Sequence, residues 1–209
     1  MNNKISICIC TLPQRMDSLA DVLWDLESQY NKLTKEYQDR VEILYLGDFK
    51  TLTVGAKRNR LANCSTGDYI AFIDDDDNVH NDYLFMLLKA IDDNPNMDVY
   101  TFRVEISING GMPKDVYYSK DYLKDQNLKD KYLRIPNHLM LFKSHLVTLN
   151  RYEDISFRED EKWAKKVLNQ IKTECKIPHT LYRYNCNHAN SETLPKEIKE
   201  SLLKSENNE

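Results

Sequence analysis

The chain has 209 residues, of which 41% are hydrophobic and 30% charged, with a net charge of -4. Those figures suit one globular domain, or one domain with extensions, with enough apolar material for a real core. The acidic balance gives no electrostatic case for non-specific binding to nucleic acid or to an anionic membrane. Cys8, Cys10, Cys64, Cys175 and Cys186 are odd in number and match no zinc spacing, which reads as a reducing, cytoplasmic setting. MNNKISICIC lacks the long apolar region and cleavage site of a signal peptide. No stretch approaches the roughly 20 apolar residues of a transmembrane helix.

KISICICTL opens the chain as a buried strand that Pro13 ends. Met16, Leu19, Leu23, Leu26, Tyr30 and Leu33 recur at steps of three and four, one face of an amphipathic helix. VEILYLGD, residues 41–48, is a second strand, and GAKRNRLANC, residues 55–64, a helix with Leu61 and Ala62 inward. STGD turns into YIAFI, apolar on both faces as a central parallel strand must be. NDYLFMLLKAI is a helix begun near Asn81, and MDVYTFRVEISI one or two strands. Residues 113–134 are polar, rich in tyrosine and lysine and weakly periodic, so an irregular excursion is expected there. HLMLFKSHLV is short and apolar, EDEKWAKKVLNQI is a helix, and TLYRYNCNH a last strand. From about residue 191 the chain is a polar, charged tail.

Strand and helix alternate through the first 75 residues, which means βαβ units and a mostly parallel sheet in an α/β fold. Ligands in such sheets bind at the carboxyl ends of the strands. Polar clusters stand at three of those ends: Thr11 to Arg15, Gly47 to Asp48, and Asp74 to Asp77.

The last cluster poses a physical problem. At ~4 Å two like charges repel by about 1 kcal/mol in water and about 4 kcal/mol at the effective dielectric of a protein surface. One helix-capping Asp or Asn would suffice for an acidic turn, so a run of four points to a cation or a set of donors among them. The run is not an EF-hand: Val79 stands where that loop needs Gly and Phe85 where it needs the bidentate Glu. Neither a P-loop nor G-x-G-x-x-G is present. What remains is an oxygen-ligand site for a divalent cation that in turn holds phosphates.

The stretch GAKRNRLANCSTGDYIAFIDDDD resembles the core signature of family 2 glycosyltransferases of the GT-A fold, a G-x-x-R-N helix followed by a G-D-Y-I-x-F-L-D-x-D-D strand, with Ile73 here for the Leu. FREDEKWAKK, Phe157 to Lys166, resembles the family's E-D motif, in the right order and at the expected distance. The resemblance implies a single Rossmann-like GT-A domain over residues 1–190, with a nucleotide-sugar half (1–100) and an acceptor half (101–190). It implies a metal-dependent inverting transferase that moves a hexose or pentose from a nucleoside diphosphate donor, a UDP-sugar, to an acceptor hydroxyl. Asp76 and Asp74 are then the metal ligands, with Mn²⁺ or Mg²⁺, and His188 a third. Thr11, Arg15, Asp48, Lys57, Arg58, Asn59, Asp74 and Asp75 border the nucleotide, and Asp160 is the catalytic base.

Each role has a plainer alternative in the residues. Asp160 with Glu159 and Glu161 suits the first turn of any helix. Lys57 and Arg58 read equally as a solvated helix face, His188 as polar surface, His138 and His145 as structural residues, and Trp163 as helix packing. The tyrosines of 117–132 are candidates for an acceptor groove. The acceptor stays open among a glycan, a lipid-linked sugar, a protein and a modified phage DNA base, the last disfavoured by the acidic charge. Two other functions compete: a sugar-phosphate nucleotidyltransferase, which would need a Gly-rich loop that CTLPQRM lacks, and a non-catalytic nucleotide-sugar-binding module.

Overall fold

The structure, a computed structural model, describes residues 3–186. The polar tail expected from residue 191, and His188, lie outside the described residues.

Strand β1 (Ile5–Thr11) is buried almost end to end, because both faces and both edges are covered. A 3₁₀ turn at Pro13–Arg15 follows, where proline's fixed φ suits a helical start. Helix α1 (Met16–Tyr30) buries Leu19, Val22, Leu26 and Gln29. The inner stripe is thus rotated from the expected one: Met16 is half exposed, and Leu23 only packs against the core. Gln29 is inward because its Oε1 accepts from the Leu84 N–H, at 3.1 Å. A short α2 (Lys35–Gln38), capped by Thr34, leads to β2 (Val41–Gly47), which lies at the edge of the sheet and is half-buried.

Helix α3 (Val54–Cys64) starts at an N-cap, Thr53, whose hydroxyl accepts from Ala56 N–H. It buries Leu61 and Ala62 as expected, and also Gly55, Lys57, Arg58 and Asn59. Strand β3 (Tyr69–Asp74) is buried through Ile73. After the aspartate turn come β4 (Asn78–Val79) and α4 (Tyr83–Asp93), whose inner face is Tyr83, Leu84, Leu87, Leu88, Ala90 and Ile91. MDVYTFRVEISI forms one ten-residue strand, β5 (Val99–Ile108).

The region expected to be irregular carries three short strands, β6 (Lys114–Tyr118), β7 (Gln126–Asn127) and β8 (Lys131–Arg134). Their order comes from pairing: β6 runs antiparallel to β5, β8 parallel to β6, and β7 antiparallel to β8. β9 (Leu141–Lys143), α5 (Ser144–Leu149), α6 (Glu159–Leu168) and β10 (Glu174–Cys186) complete the described chain.

The sheet runs β2-β1-β3-β9-β5-β6-β8-β7, with β10 parallel along the other edge of β5 and β4 paired to β10. β1, β2, β3, β5 and β10 point the same way. The strand inserted between β3 and β5, β9, is antiparallel to both. The carboxyl ends of β1, β3 and β10 therefore open onto one side, with the start of α6 facing them across a cleft.

Candidate active site

Asp74 ends β3, and the next three aspartates turn the chain, closed by the Asp77 N–H to Asp74 C=O bond at 3.2 Å. The four carboxylates occupy four different environments. Asp74 is flanked by Arg58 Nη2 at 3.0 Å and His138 Nε2 at 3.4 Å, one on each oxygen. Burial alone would raise its pKa, but His138 and Arg58 hold it below the usual carboxylate range. Asp75 is buried; it accepts from Thr11 Oγ1 at 2.6 Å and pairs with Arg15 Nη2 at 2.9 Å. Burial nonetheless pushes its pKa up to about 6. Asp76 is the open member, its side chain 47% exposed, with Arg15 Nη2 at 2.5 Å. Asp77 is buried and accepts from Tyr182 Oη at 2.8 Å and Asn185 N–H at 2.9 Å, and burial raises its pKa well above normal. The repulsion noted in the sequence is thus offset by two arginines, a histidine and several donors.

The G-x-x-R-N helix acts as a clamp on the segment that carries the second motif. Gly55 lets residues 153–155 pass against α3: a Cβ there would stand 1.9 Å from the Glu153 carbonyl oxygen. Asn59 grips the Tyr152 backbone twice, donating to its C=O and accepting from its N–H, both at 2.9 Å. Arg58 lies over the rings of Phe72 and Tyr152 and reaches Glu159 Oε1 at 2.5 Å. Glu159 is buried, which raises its pKa against the pull of Arg58.

Helix α6 begins after Arg158, held at a left-handed φ of 62°. Its first turn presents Glu159 inward to Arg58 and Asp160 to the cleft. Asp160 Oδ2 stands 3.6 Å from Nδ1 of His138, whose Nε2 faces Asp74. Glu159, Arg58, Asp74, His138 and Asp160 therefore close a ring of polar groups drawn from α3, β3, α6 and the loop before β9.

The cleft encloses a cavity of about 480 Å³. Its wall combines charged groups, among them Arg15, Arg58, Asp74, Asp75, Asp76, His138, Asp160, Asp125 and Arg134, with the apolar and tyrosine side chains Val104, Ile106, Val116, Tyr118, Tyr132 and Tyr184. Cys10 also lines it, but burial pushes its thiol up to about 12, so it is an uncharged neighbour.

Of the residues singled out in the sequence, the structure brings Arg15, Arg58, Asp74, Asp75, Asp76 and Asp160 to the cavity. Thr11, Asp48, Lys57 and Asn59 are not on its wall. Lys57 is buried, donating to the Thr11 C=O at 2.7 Å and pairing with Asp48 at 2.6 Å; Asp48 also accepts from Thr51 and Leu52 N–H. Through Thr11, whose hydroxyl reaches Asp75, the Lys57–Asp48 pair backs the aspartate turn. The solvated face suggested for Lys57 and Arg58 is overturned, because both cations are buried and paired with carboxylates, Asp48 and Glu159. His138 is the residue the sequence reading passed over as structural. Trp163 is packing: it is buried, stacked on Tyr152 and edge-on to Phe142.

A divalent cation fits the acidic end only in part. Among the described residues no three His, Cys, Asp or Glu side chains are grouped to hold an ion unaided. Asp76, open to the cavity beside Asp74 and Asp75, suits an ion whose other ligands are phosphate oxygens, the usual habit of Mg²⁺.

Residues 17–148 match the profile of glycosyl transferase family 2. The chain belongs to that family. It is 25% identical over 162 residues to an uncharacterized glycosyltransferase of Methanocaldococcus jannaschii, a match covering 73% of this chain and 54% of that protein. The chain thus spans about half the length of that relative. The fold is similar to S. aureus TarS 1–349, at a TM-score of 0.62 and 14% identity over 96% of this chain and 69% of that one. TarS 1–349 in complex with UDP gives 0.63 at the same identity and coverage. TarS 1–349 in complex with UDP-GlcNAc gives 0.61 at 13% identity, over 87% of this chain and 58% of that one. At such identities the likeness is one of fold, and the fold is GT-A: a mostly parallel central sheet flanked by helices. Among the described residues no helix is long and apolar enough to cross a membrane.

Proposed function

We propose that this family 2 domain is an inverting glycosyltransferase that moves a sugar from a nucleoside diphosphate, a UDP-sugar, to an acceptor hydroxyl. The observation that carries the reading is a single cavity walled by two separately partnered carboxylates. One exposed carboxylate, Asp76, and a separate one, Asp160, face the same space without sharing a partner. Its volume lies within the range of small-molecule sites. The TarS complexes with UDP and UDP-GlcNAc support a uridine donor.

In this reading the diphosphate lies against Arg15 and the aspartate turn. Asp76 would hold a Mn²⁺ or Mg²⁺ together with donor phosphate oxygens, and the ion would supply charge neutralisation for the leaving diphosphate. The acceptor oxygen attacks the anomeric carbon, the bond to the diphosphate breaks, and Asp160 takes the hydroxyl proton. Asp74 is a structural anchor for that end, since Arg58 and His138 occupy its two oxygens. The apolar and tyrosine side chains of the wall, which come from residues after 101 and include Tyr118 and Tyr184, take the acceptor.

Calorimetric titration of nucleoside diphosphates and nucleotide sugars, with and without Mn²⁺, tests the donor site. Wild type is expected to bind one nucleotide in a metal-dependent way, and Asp76→Asn to lose that dependence. Equal binding by both proteins would remove the aspartate turn from the donor site.

A further inference from the structure

We propose that His138 is a positioning residue that holds the Asp160 carboxylate in its working orientation and ties it to the donor-side aspartate. The inference rests on Asp160 being the base.

Asp160 needs an orienting group. Its side chain is 36% exposed, with two rotatable bonds. Among the described residues, no polar side chain other than His138 ion-pairs with it, and none hydrogen-bonds to it. His138 suits the task because it is itself fixed. It is 5% exposed, and its C=O accepts from the Phe72 N–H at 3.1 Å, which pins it to the central strand β3. Its ring lies between the two carboxylates, with Nε2 3.4 Å from Asp74 Oδ2 and Nδ1 3.6 Å from Asp160 Oδ2.

The loose end of that bridge is the informative one. Nδ1 is buried and has no hydrogen-bond partner. A buried ring nitrogen left without a partner costs free energy. A shift of less than ~1 Å would bring Asp160 within hydrogen-bond distance. Catalytic hydrogen bonds are often long before substrate binds and tighten in the complex. A histidine serving packing alone would not need both ring nitrogens aimed at the two carboxylates lining a cavity.

The two nitrogens can be tested apart. Asn places its amide near the position of Nδ1, whereas Gln reaches toward that of Nε2. His138→Asn keeps the group facing Asp160; His138→Gln keeps the one facing Asp74 and withdraws the other. Both variants of the full chain would be crystallised, and turnover of UDP-GlcNAc with Mn²⁺ followed as UDP release. In His138→Gln the Asp160 carboxylate is expected to leave its present position. Its kcat is expected to fall by about 100-fold, the scale of a 1 Å misplacement, with KM and the calorimetric Kd for UDP unchanged. His138→Asn should retain the Asp160 position and most of kcat. An unmoved Asp160 in His138→Gln, equal losses in both variants, or a loss confined to KM or UDP affinity would overturn the proposal. If Asp160→Asn turns over as wild type does, the base assignment fails instead. The crystallographic position of Asp160 is read in either case, and also if UDP-GlcNAc is not turned over.

Discussion

Single residues in this site divide into those that meet substrate and those that hold them. With Asp160 as the proposed base, Asp160→Asn removes the proton acceptor but none of the supports. Turnover is therefore expected to drop by about 10²- to 10⁴-fold, with UDP affinity by calorimetry and the melting temperature close to wild type. Arg58 is the opposite case. Its guanidinium is buried between Phe72 and Tyr152 and neutralises Asp74 and Glu159. Arg58→Met strands a buried Glu159, and loss of one partner of such a pair costs about 3–5 kcal/mol. Urea unfolding should show that loss, and Arg58→Met with Glu159→Gln should recover part of it. Stability recovered without turnover would mark the pair as a support for Asp160.

At the scale of elements, the contact that sets the site is α3 against the segment before α6. Gly55 permits it, and the Gly55 N–H to Ile155 C=O bond at 3.0 Å secures it. Gly55→Ala forces backbone apart, since its Cβ would meet a carbonyl oxygen and not a yielding side chain. A cost above about 3 kcal/mol is expected, in the range of severe overpacking, visible as a lowered melting temperature. Turnover should fall with it, because the displaced loop leads into Asp160. Much of this architecture was legible in the sequence. β1, β2 and β3 announce themselves as apolar runs, and α3 and α6 through motifs whose spacing survives folding. β6, β7 and β8 were not legible, because short polar strands take their order from a neighbouring strand and not from local preference. His138 was invisible for a similar reason: its partner Asp74 is 64 residues away and no periodicity links them. Lys57 and Arg58 look solvated until Asp48 and Glu159 are placed beside them.

For the whole molecule, part of the acid sensitivity is expected to arise away from the cleft, at the opposite end of the sheet, in addition to that of Asp74 and Asp48. Glu42, near the start of β2, accepts from Ser6 Oγ at 2.6 Å, Thr66 N–H at 2.8 Å and Thr66 Oγ1 at 2.7 Å, with Lys4 nearby. Burial would raise its pKa, but these donors lower it from 4.5 to about 2. A depressed folded value means the stabilisation is full above about pH 4.5 and is lost as pH falls toward 2. Glu42→Gln should therefore lower stability at neutral pH by a few kcal/mol and flatten the acid limb of a stability–pH curve. An unchanged limb would place the acid-sensitive group elsewhere.

The insertion of β9 between β3 and β5 has a consequence for synthesis. As the chain leaves the ribosome, β1, β2 and β3 are complete by residue 74, yet the strand that covers the open edge of β3 arrives only at residues 141–143. For that interval a buried-type strand, YIAFID, shows unpaired backbone to the surroundings. The nascent protein passes through a stage in which the centre of its future sheet is a sticky edge. Delay or truncation within residues 75–137 exposes it to aggregation, before His138 and Asp160 have joined the cleft.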